Sequence, residues 1–392
     1  MKSVFFFLFF LLIVKLSFAQ DSLAGKHPQS PKPPKHIIHS GDMKYHLGIG
    51  GYINLTGIYE LDNAMQDHLD FITYDIKVPE PAEMRKLFLM NANQSRLSAN
   101  LLGDTKYGKL KVYLEADFNG VQGAFRLRQA YGSLGGFLVG QTWSTFTDLD
   151  ASPNTIDAEG PNAEIAFRTT MIRYSHYFTK NLRISLAAET PTASLFVDNQ
   201  TENQAQFVPE FVSTLKYKNS WGHLQLGGVF RDITYFDSIA GKTQSTPGWG
   251  VSGSGSIQFS KTFTFMSQYI YGKGVAKYIQ DISDRGMDLI PEKNPDKGKM
   301  EALECWGVYG ALNISFTKKL SSNLIYSITR VTSMPQLPPD EFKDGQYFAF
   351  NIFYSLLPNI TIAGEYLWGE RKNKNNKIGT AQRMNMMMKF DF

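Results

Sequence analysis

The sequence predicts an all-β fold, a transmembrane antiparallel β-barrel of about 16 strands with an inward-folded constriction loop. Three observations predict it. Apolar and polar residues alternate in segment after segment from Leu47 to Phe392. The connections alternate between short turns and long polar loops, as they do at the two rims of an outer-membrane barrel. Beyond the first residues, no window approaches the roughly 18 consecutive apolar residues of a spanning helix.

The chain opens with an export signature over residues 1–19. Lys2 precedes an apolar run from Val4 to Val14, and Ser17-Phe18-Ala19 supplies small residues for a signal peptidase. The run is shorter than the roughly 20 residues needed to cross a bilayer. No cysteine lies near the cleavage point, which excludes a lipoprotein signal. Residues 20–46 contain Pro28, Pro31, Pro33 and Pro34 and read as an extended periplasmic linker. His27, His36, His39 and His46 lack a second ligand cluster, so they read as solvated rather than metal-binding.

Composition agrees with a barrel spanning residues 47–392. Mean hydropathy is -0.24, acceptable for a membrane protein in which half of every strand faces water. The 29 Phe and 19 Tyr can furnish aromatic girdles at both interfaces. The net charge of +4 comes from interleaved rather than clustered residues, which argues against a nucleic-acid partner. Cys305 is the single cysteine, so no internal disulfide forms.

In chain order, Ile49, Gly51, Ile53 and Leu55 share one face and Asn54 and Thr56 the other. Asp67 to Arg85 is polar and reads as a first extracellular loop. Leu110, Val112 and Leu114 then alternate with Lys111, Tyr113 and Glu115, and the pattern recurs at Leu182–Ala188, Leu224–Phe230, Val308–Phe316, Phe348–Tyr354 and Ile360–Trp368. Long polar connections are expected at 190–209, 232–247, 275–300 and 332–345, short ones at 179–181, 219–222, 317–322 and 357–359. A soluble sandwich would alternate too, but has no reason to sort its loops by length. Met384, Met386, Met388, Phe390 and Phe392 close the chain on one face, an ending suited to the outer-membrane assembly machinery. At about 22 residues per strand and loop, ~370 mature residues give ~16 strands. A barrel that wide leaves an aqueous channel.

The chemistry concentrates between Phe125 and Ala163. Arg126 and Arg128 alternate toward the lumen, and a Gly135-Gly136 turn leads to a loop at 143–164 expected to fold inward. Guanidiniums offer forked donors that suit carboxylates. One unit charge at about 4 Å is worth on the order of 4 kcal/mol at an effective dielectric near 20, enough to bias traffic without trapping a solute. Arg173 is a third candidate, with Arg183 and Arg231 behind it. The loop acids Asp148, Asp150, Asp157 and Glu159 either face these arginines across an eyelet or pair with them and hold the loop. A calcium site at Asp148 and Asp150 lacks the spacing of an EF-hand loop. No cofactor, metal or catalytic set is expected.

Two other classes compete. A barrel lipase needs a Ser-His pair facing lipid, and only His176 and His223 lie in strand-like segments, each read as a surface residue. A receptor or adhesin would use loops 190–209 and 275–300, in which no aromatic hot-spot cluster stands out.

The stretch RLRQAYGSLGGFLVGQTWSTFTDLDASPNTIDAEGPNA resembles the hallmark segment of the DcaP-like outer-membrane porins. GGYINLTGIYE (Gly50 to Glu60), NQSRLSANL (Asn93 to Leu101), YLEADF (Tyr113 to Phe118) and IRYS (Ile172 to Ser175) add to the likeness, which covers about the first half of the mature chain. The resemblance implies a 16-stranded homotrimer in the outer membrane that passes small anionic solutes such as dicarboxylates. It also implies an eyelet lined by Arg126, Arg128, Asp148 and Asp157. This chain departs in having only the Pro-rich 20–44 before the barrel, and in retaining Glu115, Asp117 and Glu189 on the lumen side.

Overall fold

The computed structural model describes residues 36–40, 43–62, 64–65, 69–79, 86–198, 201–292, 298–332 and 335–392. The expected export signal at 1–19 and the linker up to residue 35 lie outside the described residues.

The first third of the chain holds β1 (His36–Ser40), β2 (Met43–Glu60), β3 (Leu87–Asn91), β4 (Arg96–Thr105), β5 (Gly108–Asp117), β6 (Arg126–Leu134) and β7 (Phe137–Trp143). Next come β8 (Arg168–Tyr177), β9 (Leu182–Glu189), β10 (Thr201–Asn203), β11 (Glu210–Asn219), β12 (Gly222–Asp237), β13 (Lys242–Gln258) and β14 (Phe263–Lys273). The rest is β15 (Leu289–Pro291), β16 (Met300–Ala302), β17 (Glu304–Ser315), β18 (Leu320–Val331), β19 (Phe342–Leu357), β20 (Ile360–Asn373) and β21 (Ile378–Asp391).

Setting aside the short strands β1, β3, β10, β15 and β16, 16 antiparallel strands follow one another around a closed barrel. Closure is made by β2, which pairs with β4 on one side and with β21 on the other. The final residue takes part, since Phe392 and Gly51 exchange backbone hydrogen bonds of 3.1 and 3.2 Å. Outward residues are apolar and exposed, as at Ile49, Leu226 and Met386, while their neighbours Gly48, Gln225 and Asn385 are buried. That is the period-two pattern of a wall between lipid and lumen.

Two boundaries differ from the sequence reading. The first barrel strand starts at Met43 rather than Leu47 and pairs with β1, so residues assigned to the linker belong to the sheet. The stretch 232–247 is not a long loop: β12 and β13 stay paired as far as Asp237 and Lys242. A strand that outgrows the bilayer has loops or water on both faces, so it loses its alternation without ceasing to be a strand.

The long-loop end of the barrel has an apolar interior. Met65, Phe71 and Ile76, from the connection after β2, pack on the inward Ala311, Ile325, Tyr347 and Leu367. The expected polar first loop therefore turns its few apolar side chains inward. Val275, Ile279, Ile282 and Met287, after β14, pack on Ile270, Cys305 and Val331. Buried ion pairs tie this second segment down: Arg231 meets Glu210 at 2.9 Å and Asp288 at 2.7 Å, and Lys277 meets Glu210 at 2.8 Å.

Candidate functional site

A bulge on β6 sets up the arginine wall. Glu115 is opposite Gln129 and Ala116 opposite Leu127, which leaves Arg128 as an extra residue. Extra residues of this kind re-aim side chains, and here both Arg126 and Arg128 reach Asp117. Arg126 holds it with two bonds of 3.0 and 2.8 Å. Arg128 reaches Asp117 at 2.7 Å and Glu115 at 3.1 Å, and Arg96 stands 3.6 Å from Glu115. Neither expected pairing with the loop acids occurs. The partners of Arg126 and Arg128 are on the neighbouring strand, where cross-strand side chains are about 5 Å apart.

The segment after β7 lies against inward-facing side chains of the barrel. Asp148 accepts bonds of 2.7 Å from Lys216 Nζ and from Ser254 Oγ, and its Oδ2 is 2.7 Å from His223 Nε2. Asp150 pairs with Lys216 at 2.8 Å and Lys218 at 3.2 Å. Further along, Tyr309 donates to the Ala151 carbonyl at 3.0 Å, and Asn323 and Asn351 donate to Asn154 at 3.1 and 2.9 Å. Glu365 accepts from the amides of Ile156 and Asp157, and Ser327 Oγ accepts from Ala163 N at 2.9 Å. Gly307 permits this approach, since a Cβ there would stand 2.9 Å from Ala163 Cβ.

The four loop acids divide into two kinds. Burial pushes the Asp148 carboxyl up, but the His223 hydrogen bond and the Lys216 charge outweigh it and hold it at about 2. For Asp150 too, Lys216 outweighs burial and keeps the carboxyl below its usual range. Asp157 and Glu159 go the other way. Burial, reinforced by Glu365 and Asp70 for Asp157 and by Asp70 and Asp157 for Glu159, drives both well above the carboxylate range. They are therefore poor candidates for the charged rim expected of them. Glu164, buried beside them, is pushed up by burial to about 8.

His223 is not the surface residue expected from the sequence: it is 1 % exposed and bound to the loop. Its Nδ1 lies 3.0 Å from Ser256 Oγ, so Ser256, His223 and Asp148 form a chain of contacts. That chain ends on a carboxylate already committed to Lys216 and Ser254, which makes it an anchor. His176 faces outward between the rings of Tyr174 and Phe178. Asp148, Asp150 and His223 could converge on a cation by distance alone. The Lys216 ammonium already lies within 2.8 Å of both carboxylates, so these residues do not fit a calcium ion.

Against this clamp, a cavity of ≈ 380 Å³ is lined by Gln129, Arg173, Arg183, Asp148, Asp150 and Lys216, among others. Arg173 and Arg183 have no acidic partner at ion-pair distance among the described residues; Arg183 lies over the Tyr177 ring. Arg168, at the start of β8, stacks over Trp143 at 4.7 Å and shares the neighbourhood of Arg96, Arg126 and Arg128. The sequence reading missed Arg168 because it sits at a strand end, where alternation gives no side.

A model of the DcaP outer membrane protein family matches residues 41–392. No curated protein matches the chain. Among solved structures, the outer membrane channel DcaP of Acinetobacter baumannii is similar at 18 % identity and a TM-score of 0.76, over 89 % of this chain and 97 % of that one. The anion-selective porin of Comamonas acidovorans follows the same fold at 11 % identity and 0.59, over 89 % and 100 %. So does OmpT of Vibrio cholerae in its trimer form, at 11 % and 0.55, over 89 % and 99 %. The chain belongs to the DcaP outer membrane protein family and is an integral outer-membrane porin of β-barrel fold.

Proposed function

From that membership we propose that this porin passes small hydrophilic anions, dicarboxylates among them, by passive diffusion through a lumen narrowed by loop 143–164. One observation carries the reading. The loop acids that line the passage are either paired, as Asp148 and Asp150 are, or held toward the neutral form, as Asp157 and Glu159 are. Arg173 and Arg183 meanwhile make no ion pair among the described residues, and the acids nearest in the cavity, Asp148 and Asp150, are taken by Lys216. The uncompensated charge facing the solute is positive, and fixed charges at close quarters set the selectivity of a pore.

The protein works as a homotrimer in this reading; the similarly folded OmpT is described in trimer form. Residues 1–19 direct export and are removed. The exposed ring of Phe392 at the last paired position is the feature offered to the assembly machinery.

Planar-bilayer recording of the purified protein under a KCl gradient tests the function. Current steps in threes with an anion-shifted reversal potential are expected. A symmetric or cation-shifted potential refutes the anion reading. Silent insertion would favour a receptor that uses its long loops.

A further inference from the structure

We propose that Arg173 and Arg183 form an anion subsite on the periplasmic side of loop 143–164, arranged to take a dicarboxylate with one carboxylate on each guanidinium. The inference rests on the anion-pore reading above and says where along the passage such a solute pauses.

Sheet register builds the subsite. Ser175 on β8 stands opposite Ser185 on β9, and their hydroxyl oxygens are 2.9 Å apart. One hydroxyl of such a pair donates to the other, which leaves one proton free for a ligand. Thr214, opposite Ser185 on β11, continues the hydroxyl row. Arg173 lies two residues from Ser175 toward the loops, and Arg183 two residues from Ser185 toward the turns. Their Cα atoms are therefore about 14 Å apart along the strands, at ~3.4 Å per residue, with the hydroxyl row between them.

Charge completes the argument. Arg173, Arg183, Ser175, Ser185 and Thr214 all line the one cavity of ≈ 380 Å³, a volume suited to a small ligand. The cross-strand neighbours of Arg173 are Leu138 and Ala187, and Glu189, the wall acid whose charge reaches it, already accepts bonds from Ser144 and Thr145. Each guanidinium feels the charge of the other, and a dianion between them removes that repulsion. Lys216, Asp148 and Asp150 share the cavity, but the two acids are paired with Lys216, and Asp150 also with Lys218. The contrast with Arg126 and Arg128 is direct, because there Asp117 and Glu115 already occupy the place of a solute carboxylate.

The test uses the full-length porin in planar bilayers, with succinate and acetate as probes against a KCl background. Succinate is expected to interrupt the current in resolvable blocks, and acetate is not. Arg173→Gln combined with Arg183→Gln should shorten succinate blocks about a hundredfold, the loss of two charge-assisted contacts at roughly tenfold each. The pair Arg173→Lys and Arg183→Lys keeps both charges without the fork and should recover part of the residence. It also carries the test if the Gln pair fails to assemble. Unchanged blocks in the variants of an anion-selective pore overturn the subsite and leave the anion reading standing, as does a wild-type pore that succinate never blocks. A wild-type pore without anion preference overturns both.

Discussion

His223 Nε2 lies 2.7 Å from Asp148 Oδ2, joining strand β12 to a loop residue 75 positions earlier in the chain. With Lys216 and Ser254 on the same carboxylate, this contact fixes the start of loop 143–164 to strands β11, β12 and β13. The loop is held by buried polar bonds rather than by apolar burial alone, and its stability should respond to charge.

Removing one partner of a buried ion pair costs on the order of 3–5 kcal/mol. Lys216→Met should accordingly loosen the start of the loop while the barrel stays folded. Excess open-channel noise is the expected signature, with an unchanged heat shift on SDS gels. Quiet current from this variant would mean that His223 and Ser254 suffice.

The clamp and the far end of the loop should respond oppositely to pH. The folded value of Asp148 is depressed to about 2 from an ordinary 3.8, so its contribution is present above pH 3.8 and is lost as pH falls through 2. The folded value of Glu164 is raised to about 8 from 4.5, so its contribution is full below pH 4.5 and is lost as pH rises through 8. Asp281 follows the same sense, raised by burial to about 6. Gating noise should pass through a minimum between about pH 4 and 5 and grow toward pH 8. Noise that falls steadily over that upper range would contradict the assignment.

Neutralising Glu115→Gln and Asp117→Asn together frees Arg96, Arg126 and Arg128 from their partners. Anion preference, read as the reversal potential in a KCl gradient, should rise. The converse pair, Arg126→Ala with Arg128→Ala, leaves two uncompensated acids and should shift the potential toward cations. Equal potentials in the two double variants would remove these residues from the selectivity account.

Gly307 lies under the loop, and a side chain there meets Ala163. Gly307→Val should push the loop off the wall at a cost of about 1–3 kcal/mol, the usual penalty of overpacking. With the loop narrowing the passage as proposed, single-channel conductance should fall. A wild-type conductance would show that the loop does not border the narrowest point.

The sequence by itself determined the wall. Alternation is a local property: at Ile49, Asn54, Leu226 or Met386 the nature of the residue fixes whether it meets lipid or lumen, with no knowledge of its neighbours in space. The sorting of loop lengths and the run from Arg126 to Ala163 likewise marked where the lumen would be charged. The tertiary structure alone decided who meets whom. Arg128 bonds to Asp117 because of a bulge, which depends on a register no period can reveal. Asp148 meets His223, and Phe71 meets Tyr347, across dozens to hundreds of residues. Ion pairs, desolvation and the burial of a loop depend on three-dimensional neighbours, so the sequence could name Arg173 and Arg183 as candidates, but only the structure shows that neither makes an ion pair among the described residues.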